Sequence, residues 1–370
     1  MRTPIAPIEP RANPDLLGQD RAIAVLRDAW RSGRPPHAWL ISGPRGIGKA
    51  TLAFRLARAL LADADATDAD LGLPPEHPVF RQVAAGAHPD LRVLEPPREA
   101  RSNRQRSEIA VEVVRNATAA MHSTAAMGGH RVVIVDGAEL LNRNAANALL
   151  KPLEEPPPAT TLILVSHHPG RVMPTLRSRC AKLRLGRLDD EAVEAILVRQ
   201  AGALDAAERL MLARMARGSP GVALELAASD AAGLYRRLAS GLGAEPVDRL
   251  ELQELSADLA RHADAEGLPA VMALLQELLG RAVAVGLGRP EAPLYEGERE
   301  ALARMVRVRP LDRWARLWEK IGRLAAEADG LNLDRSQVLW LILDLLGPAS
   351  GQGDERLPAR APLGGHHVLG

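Results

Sequence analysis

The chain has 370 residues, of which 46% are hydrophobic, 25% are charged and 2% are aromatic, and its formal net charge is +1. These values predict a globular protein of two or three domains with helical layers packed by aliphatic side chains, and they give no global indication of nucleic-acid binding. The single cysteine excludes an internal disulfide and a cysteine-cluster zinc site. Without a long apolar run or the apolar core of a signal peptide, the sequence predicts no membrane partner and a cytoplasmic location.

The first predicted elements lead to a glycine-rich loop. Residues 1–15 are rich in proline and are expected to form an arm rather than a packed element. A helix is predicted over 18–30, a strand over 38–42 and a second helix over 51–61. The glycine-rich loop, residues 43–49, therefore lies between a strand and a helix, which is the setting that a phosphate-binding loop requires.

This loop, with the sequence GPRGIGK, has the composition of a nucleotide site. Glycines let backbone N–H groups curl around phosphate oxygens, and the following helix N-terminus favours negative charge. Lys49 is expected to reach the β- and γ-phosphates, although a glycine turn with a solvated lysine is the alternative. The candidate ATP site, functional or vestigial, comprises Gly43, Gly46, Gly48, Lys49, Ala50, Thr51 and Asp136. Ala50 replaces the hydroxyl residue that normally holds magnesium, and Thr51 lies about 100° further around the helix, pointing elsewhere.

Residues 62–107 are predicted to be irregular except for a short strand over 91–94. His77 and His88 lack a third metal ligand, so they are interpreted as loop residues and no metal site is predicted. The basic run over 101–106 is interpreted as a solvated loop, with a DNA-phosphate contact as the sharper alternative.

The stretch from 108 to 185 alternates helices and strands. A helix over 108–120 is predicted to face inward through Ile109, Val113 and Ala117. An apolar strand over 132–135 ends on Asp136, at the edge of a parallel sheet where ligands bind. Strands are also predicted over 161–166 and 181–185, separated by a loop in which His167 and His168 are assigned to the loop itself.

The helix between the first and second of these strands carries a proline. Asn142 or Asn144 is expected to cap it, it should continue to about Glu154, and the proline triplet at 156–158 should stop it. Pro152 lies inside this predicted helix, where it removes a backbone hydrogen bond.

Three phrases in this part of the chain resemble the AAA+ clamp-loader subunits of bacterial DNA polymerase III. They are Asn147-Ala-Leu-Leu-Lys151, Leu153-Glu-Glu-Pro-Pro157 and Ser178-Arg179-Cys180. Each phrase alone is weak, but their order and spacing are specific. The resemblance is strongest over residues 16–225.

The resemblance implies an α/β fold with three parts. These are an AAA+ P-loop core with a parallel sheet over 1–186, a small helical lid over 187–230, and an all-α collar over 231–350. The collar would assemble with other clamp-loader subunits into a hetero-pentamer that acts on the sliding clamp and on primed DNA. The glycine- and proline-rich tail over 351–370 is expected to be disordered.

The resemblance also assigns roles to single residues. In the family the arginine of the Ser-Arg-Cys phrase, here Arg179, acts in trans on the γ-phosphate of ATP bound to a neighbouring subunit. A guanidinium suits this task because it is always charged and binds phosphate oxygens bidentately. The alternative is an intrasubunit salt bridge, and the adjacent Arg177 competes for the assignment. Ser166 occupies the position of a sensor residue but is interpreted as a strand-end serine satisfied by the backbone.

Three positions depart from the family's active ATPases. Ala50 lacks the magnesium hydroxyl, Gly137 stands where a glutamate polarises the attacking water, and the segment around Gly221 lacks an arginine that contacts the γ-phosphate. Glu139 lies two residues beyond Gly137 and is not expected to substitute. In several family members the 62–107 region holds a four-cysteine zinc module, which this sequence cannot form.

The sequence therefore predicts a non-motor clamp-loader subunit in DNA replication, an accessory subunit of a polymerase holoenzyme with nucleotidyltransferase activity. Any ATP that it binds would not be hydrolysed by this subunit, and Arg179 would be its catalytic contribution in trans. The main alternative is an ATP-hydrolysing motor subunit. A small-molecule P-loop kinase and a scaffold with a relic phosphate loop are further alternatives.

Overall fold

The computed structural model describes residues 7–62, 71–96, 108–121, 125–127, 129–266, 268–331 and 335–346. The chain divides into two compact units, Met1–Ala228 and Ser229–Gly370. The basic run over 101–106 and the tail predicted to be disordered lie outside the described residues.

The first unit is built on a five-stranded sheet in which every neighbouring pair is parallel. The strands are β1 (Ala38–Ser42), β2 (Leu91–Leu94), β3 (Arg131–Asp136), β4 (Thr160–Ser166) and β5 (Ala181–Arg184), and their order across the sheet is β2-β3-β4-β1-β5. The helices of this unit are α1 (Asp20–Arg31), α2 (Lys49–Leu61), α3 (Pro78–Ala84), α4 (Val111–Met121), α5 (Arg143–Ala148), α6 (Leu150–Glu154), α7 (Pro174–Arg177), α8 (Asp190–Gln200), α9 (Ala206–Met215) and α10 (Pro220–Ala228). The α/β class with a parallel P-loop sheet is confirmed.

Both faces of the sheet are buried, which explains why its central strands are continuous apolar runs. Because side chains alternate along a strand, Val132 and Ile134 of β3 join one core cluster with α2, whereas Val133 and Val135 join the cluster on the opposite face with α4 and α5.

The strand order brings the candidate site residues together at the C-terminal ends of the central strands. Strand β4 lies between β1 and β3, with Ser42 opposite Ser166 and Val165 opposite Asp136. The backbone N–H of Gly43 donates to the carbonyl of Ser166 at 3.3 Å, so the glycine-rich loop starts directly at this edge. The loop and Asp136 therefore flank the end of β4.

Two helix predictions in this unit were wrong. Residues 62–107 are not irregular throughout, because α3 forms where Pro78 occupies the first turn and the His77 side chain accepts a hydrogen bond from the backbone of Val79. The single helix expected to reach Glu154 is instead two short helices, α5 and α6, that meet at Leu149. This break places Pro152 in the first turn of α6, where its missing N–H costs no helical hydrogen bond.

The inward face of α4 was also partly mispredicted. Val114, Ala117 and Met121 are buried, whereas Val113 is 39% exposed. Ile109 is buried but precedes the helix, where it pairs with Leu141 in an isolated bridge. The helix begins at Val111, three residues later than the predicted start at 108, so Ile109 is not part of its buried face.

The second unit is helical in its described residues. Its elements are α11 (Ala231–Leu242), α12 (Arg249–Glu266), α13 (Leu268–Gly286), α14 (Glu298–Arg307), α15 (Leu311–Leu331) and α16 (Arg335–Leu346). Among the helices that the structure describes, none has the combination of length and apolar character that a membrane span needs.

A buried ion pair links α13 to α14 in this unit. Arg281 Nε donates to Glu298 Oε1 at 2.8 Å, and the Tyr235 hydroxyl donates to the same oxygen at 2.6 Å. Because these polar groups satisfy one another, their burial is compatible with a stable helical packing.

Candidate functional site

The glycine-rich loop has the backbone of a phosphate-binding loop. Gly46 and Gly48 have φ angles of +75° and +94°, which favour glycine, and α2 begins immediately afterwards at Lys49. The first N–H groups of α2 therefore face the loop, where an anion would be stabilised by the helix terminus.

Lys49 is almost completely buried beside this loop, with 3% of its surface exposed. Its ammonium donates to the carbonyl oxygen of Pro44, within the loop itself. Burial lowers the pKa of Lys49 to about 8, although the negative charges of Asp136 and Glu139 oppose this shift. A buried cation in a loop of N–H donors is suited to binding phosphate oxygens.

Asp136 is the other charged group at this edge. Burial raises the pKa of Asp136 to about 6, with further contributions from Glu95 and Glu139, while Lys49 acts in the opposite direction. The carboxyl group is therefore mostly ionised at neutral pH and could hold a hydrated cation next to a phosphate.

A cavity of about 300 Å³ joins these groups. Six of the seven predicted site residues line it, and Gly43 does not: the lining six are Gly46, Gly48, Lys49, Ala50, Thr51 and Asp136. Apolar side chains also line the cavity, namely Ile8, Leu16, Leu17, Ile196 and Leu224. A lining that combines the glycine-rich loop with aliphatic side chains suits a nucleotide, whose phosphates and base need different surroundings.

The N-terminal wall of this cavity was not predicted. Residues 7–15 were expected to form an unpacked arm, but they pack on α2. Arg58 donates to the carbonyls of Arg11 and Asn13, both at 2.9 Å, and Arg55 donates to the carbonyl of Pro14 at 2.6 Å. A proline-rich segment leaves carbonyls free to accept such bonds. The sequence signal for this packing was the pair Arg55 and Arg58, three residues apart in a mostly apolar helix.

Gly137 adopts a left-handed backbone conformation that strains any residue with a side chain. Its φ angle is +89°, and an added Cβ would lie 3.0 Å from Leu140 Cδ1. Its N–H donates to the carbonyl of Val165 at 3.1 Å, which fixes this conformation to β4. The position where active relatives are expected to carry a glutamate is therefore shaped for glycine.

Glu139 is held away from the role of a free base. Its Oε1 accepts a hydrogen bond from the backbone N–H of His167 at 2.9 Å. Burial raises its pKa, but hydrogen bonds involving its own backbone, Ser166 and His167 outweigh that effect and place the pKa below its ordinary value. A carboxylate fixed and acidified in this way is a weak proton acceptor.

Of the residues at the end of β4, Ser166 lies as expected, whereas His167 has a position that the sequence did not predict. Ser166 is fully buried, and its Oγ accepts a hydrogen bond from the backbone of His168 at 3.1 Å, in agreement with a strand-end serine satisfied by the backbone. His167, assigned only to the loop, lines the cavity. Burial and the positive charge of Lys49 lower the pKa of His167, so the imidazole is mostly neutral at pH 7.

The first turn of α10 docks directly on the phosphate loop. The Gly221 N–H donates to the Gly46 carbonyl at 2.8 Å, and the Ser219 hydroxyl donates to the Arg45 carbonyl at 2.6 Å. A salt bridge of 2.9 Å joins Arg45 to Glu225. We call these three contacts the lid latch.

The lid latch leaves no room for a side chain at its centre. A Cβ on Gly221 would lie 2.8 Å from Gly46 Cα and 3.0 Å from Gly46 O, both backbone atoms that cannot swing aside. Where active relatives are expected to carry an arginine, the start of α10 instead contacts the glycine-rich loop directly.

Arg179 lies elsewhere and does not line the cavity. Its Nη2 donates to Glu154 Oε1 at 2.5 Å and its Nη1 donates to the Thr175 carbonyl at 3.0 Å. Within this chain, Arg179 therefore forms the intrasubunit salt bridge that was the alternative interpretation. Arg177 is engaged differently, since its Nη1 donates to the Pro169 carbonyl at 3.1 Å.

The two candidate histidines have local roles. His77 caps α3, and His88 Nδ1 accepts a hydrogen bond from the backbone N–H of Asp90 at 3.2 Å. Within the described part of the chain no group of histidine, cysteine, aspartate and glutamate side chains is arranged to hold a metal ion.

Comparison with known proteins finds relatives of the sheet-bearing segment. Residues 18–189 match a family model described as DNA polymerase III, delta subunit. The chain is 44% identical over 146 residues to the DNA polymerase III subunit delta-prime of Pseudomonas aeruginosa. The segment is therefore similar in sequence to delta-prime subunits.

Other relatives agree, and all are matched over only part of their length. The delta-prime subunit of Escherichia coli is 34% identical over 202 residues, and the tau subunit of the same organism is 31% identical over 271 residues. The chain covers 42% of the Pseudomonas aeruginosa delta-prime subunit, 58% of the Escherichia coli one and 38% of tau. It therefore spans less than two thirds of each.

Solved structures with some likeness come from Thermotoga maritima. A DNA polymerase III gamma subunit-related protein has a TM-score of 0.41 and 16% identity, covering 88% of this chain and 98% of that one. The RuvB Holliday junction branch migration motor has a TM-score of 0.40 and 19% identity, covering 86% of this chain and 92% of that one.

Proposed function

We propose that this chain is a non-motor, delta-prime-type subunit of a clamp loader, which helps to place the sliding clamp on primed DNA. In this proposal its own nucleotide site runs no hydrolytic cycle, and Arg179 completes the ATP site of a neighbouring subunit. Its partners are the other clamp-loader subunits, assembled as a hetero-pentamer, and it meets the clamp and DNA through that complex.

One observation carries the non-motor assignment. At two positions where a catalytic side chain is missing, Gly137 and Gly221, the surrounding backbone favours glycine. Gly137 has a left-handed φ angle, and Gly221 lies against the backbone of Gly46. A motor subunit that had merely exchanged one catalytic side chain for another would keep space at these positions. In this chain, by contrast, the backbone around Gly137 and Gly221 leaves little space for a side chain.

The magnesium position gives further support. Ala50 lines the cavity in place of the residue whose hydroxyl is expected to hold the cation, and Asp136 lines the same cavity. Lys49 is paired with the Pro44 carbonyl. The residues can therefore attract phosphate but offer a poor magnesium site, which favours a vestigial or a static nucleotide.

The location of Arg179 supports a role toward another chain. A group that served its own nucleotide would have to reach the cavity, whereas Arg179 is outside its lining and partly exposed. Arginine at a surface of one subunit can stabilise the transition state in the next.

The first test is ATP turnover by the isolated chain and by Gly137→Glu. We expect neither protein to exceed the rate of Lys49→Ala, because a glutamate at this left-handed position cannot be aligned with the phosphate. We also expect Gly137→Glu to lower the free energy of unfolding by about 1 kcal/mol. Gly137→Ala is the control, since it imposes the same backbone strain without a carboxylate. Robust turnover by the wild-type chain would support the motor alternative. Turnover that appears only in Gly137→Glu would show instead that the backbone at this position admits a working glutamate.

A further inference from the structure

Glu154 lies in contact with the arginine to which the proposed function assigns a role in trans. We infer that Glu154 is a positioning residue for Arg179, and this inference rests on that proposed function. The carboxylate would hold the guanidinium in the orientation that a neighbour's phosphate requires, without touching the phosphate itself.

The ion pair joins two well-anchored elements. Glu154 is the last residue of α6, and the residue before it, Leu153, is buried while its carbonyl bonds to His37 Nε2 at 2.9 Å. Arg179 stands in a turn held on both sides by buried Leu176 and Cys180. With both backbones fixed, the ion pair determines mainly where the guanidinium points.

Among the described residues, the Arg179 guanidinium has two hydrogen-bond acceptors. Nη2 bonds to Glu154 and Nη1 to the Thr175 carbonyl, so two of the five guanidinium N–H groups are used. The remaining three, on Nε, Nη1 and Nη2, have no partner within the described residues. They suffice for bidentate binding of phosphate oxygens while the contact with Glu154 is kept.

The pair is unsuited to a purely structural task. Both side chains are exposed to a considerable degree, 36% for Arg179 and 51% for Glu154. Exposed ion pairs contribute little to stability because water and salt screen them. Removing the carboxylate should therefore disturb orientation far more than folding.

The adjacent Glu155 provides a matched control. It is also exposed, it carries the same charge, and no side-chain partner for it is found among the described residues. Loss of Glu155 changes the net charge as much as loss of Glu154 does, without touching Arg179.

The experiment measures DNA-stimulated ATP hydrolysis, in steady state and in a single turnover that resolves the neighbouring site, by a reconstituted clamp loader that contains Glu154→Ala, Glu154→Gln, Glu155→Ala or Arg179→Ala in this chain only. We expect both Glu154 variants to lower kcat roughly tenfold with an unchanged KM for ATP, because a misplaced catalytic group costs transition-state stabilisation. Glu155→Ala should stay within about twofold of wild type. Adding Glu154→Ala to Arg179→Ala should cause no further loss.

Two results would overturn the inference, and they are distinguishable from failure of the proposed function. If Arg179→Ala is damaging but both Glu154 variants keep the wild-type kcat, or change only KM, Glu154 does not position the arginine. If Arg179→Ala itself is harmless, the trans role fails and the inference fails with it. Unchanged thermal unfolding of the Glu154 variants separates orientation from misfolding.

Discussion

Arg179→Ala is expected to lower ATP hydrolysis at one neighbouring clamp-loader site by a factor of roughly 10³, the lower end of the range for an arginine supplied in trans. The physical reason is that charge developing on the transferred phosphoryl group loses a permanently charged, bidentate donor. Single-turnover hydrolysis by the assembled complex measures this effect directly, since steady-state rates also include the other sites.

Two variants make this result specific. Arg171→Ala removes another exposed arginine from the loop before α7 and should leave hydrolysis close to wild type. Arg179→Lys keeps the charge but loses the planar pair of donors, so it should recover only a small part of the rate. Wild-type hydrolysis in the Arg179→Ala complex would mean that the salt bridge with Glu154 is the whole role of this arginine.

Gly221→Arg is expected to destabilise the first unit by about 3 kcal/mol, because a side chain would be forced against backbone atoms of the phosphate loop. The nearest distance, 2.8 Å to Gly46 Cα, cannot be relieved by a rotamer change. The variant installs the side chain that active relatives are expected to have near this point, yet we expect no gain in ATP turnover. Chemical denaturation followed by circular dichroism measures the loss.

Gly170→Arg is the matched control, because a Cβ at that glycine would meet no atom within 4 Å. It adds the same side chain and charge at an open position and should change stability by less than about 0.5 kcal/mol. A Gly221→Arg protein as stable as wild type would show that the lid latch opens at little cost and does not define this subunit.

The strands and their ends followed closely from the sequence. The predicted bounds of β1 and β2 match the structure, and Asp136 lies at the end of β3 as expected. Buried parallel strands leave a pattern of apolar and β-branched residues, and Asn142, one of the two predicted caps, caps α5 through a bond from Ala145 N–H. These signals are local, so one sequence suffices.

Features decided by tertiary contact could not be predicted in this way. The packing of residues 7–15 on Arg55 and Arg58 needs a helix surface that the local pattern does not reveal. The division into α5 and α6 depends on where the chain accommodates Pro152. The lid latch joins Gly221 to Gly46, which are 175 positions apart in the sequence, and a glycine in a sequence does not reveal which backbone approaches it.

The candidate site shows the same contrast. The composition of the glycine-rich loop predicted its position, and its spacing predicted Lys49 as the cation that reaches the phosphates, although the burial of Lys49 was not predicted. The fixation of Glu139 by His167 and the ion pair between Glu154 and Arg179 depend on side chains that are distant in sequence. Such pairs become visible only when the sheet order is known.

The most direct test of a subunit that serves its neighbour is a comparison of Lys49→Ala with Arg179→Ala, each introduced into this chain alone within a reconstituted clamp loader. DNA-stimulated ATP turnover is the readout. We expect Arg179→Ala to reduce turnover sharply and Lys49→Ala to leave it within about twofold of wild type, since the loop of this chain would take no part in hydrolysis. A sharp loss in Lys49→Ala with normal turnover in Arg179→Ala would contradict this account and identify a motor subunit.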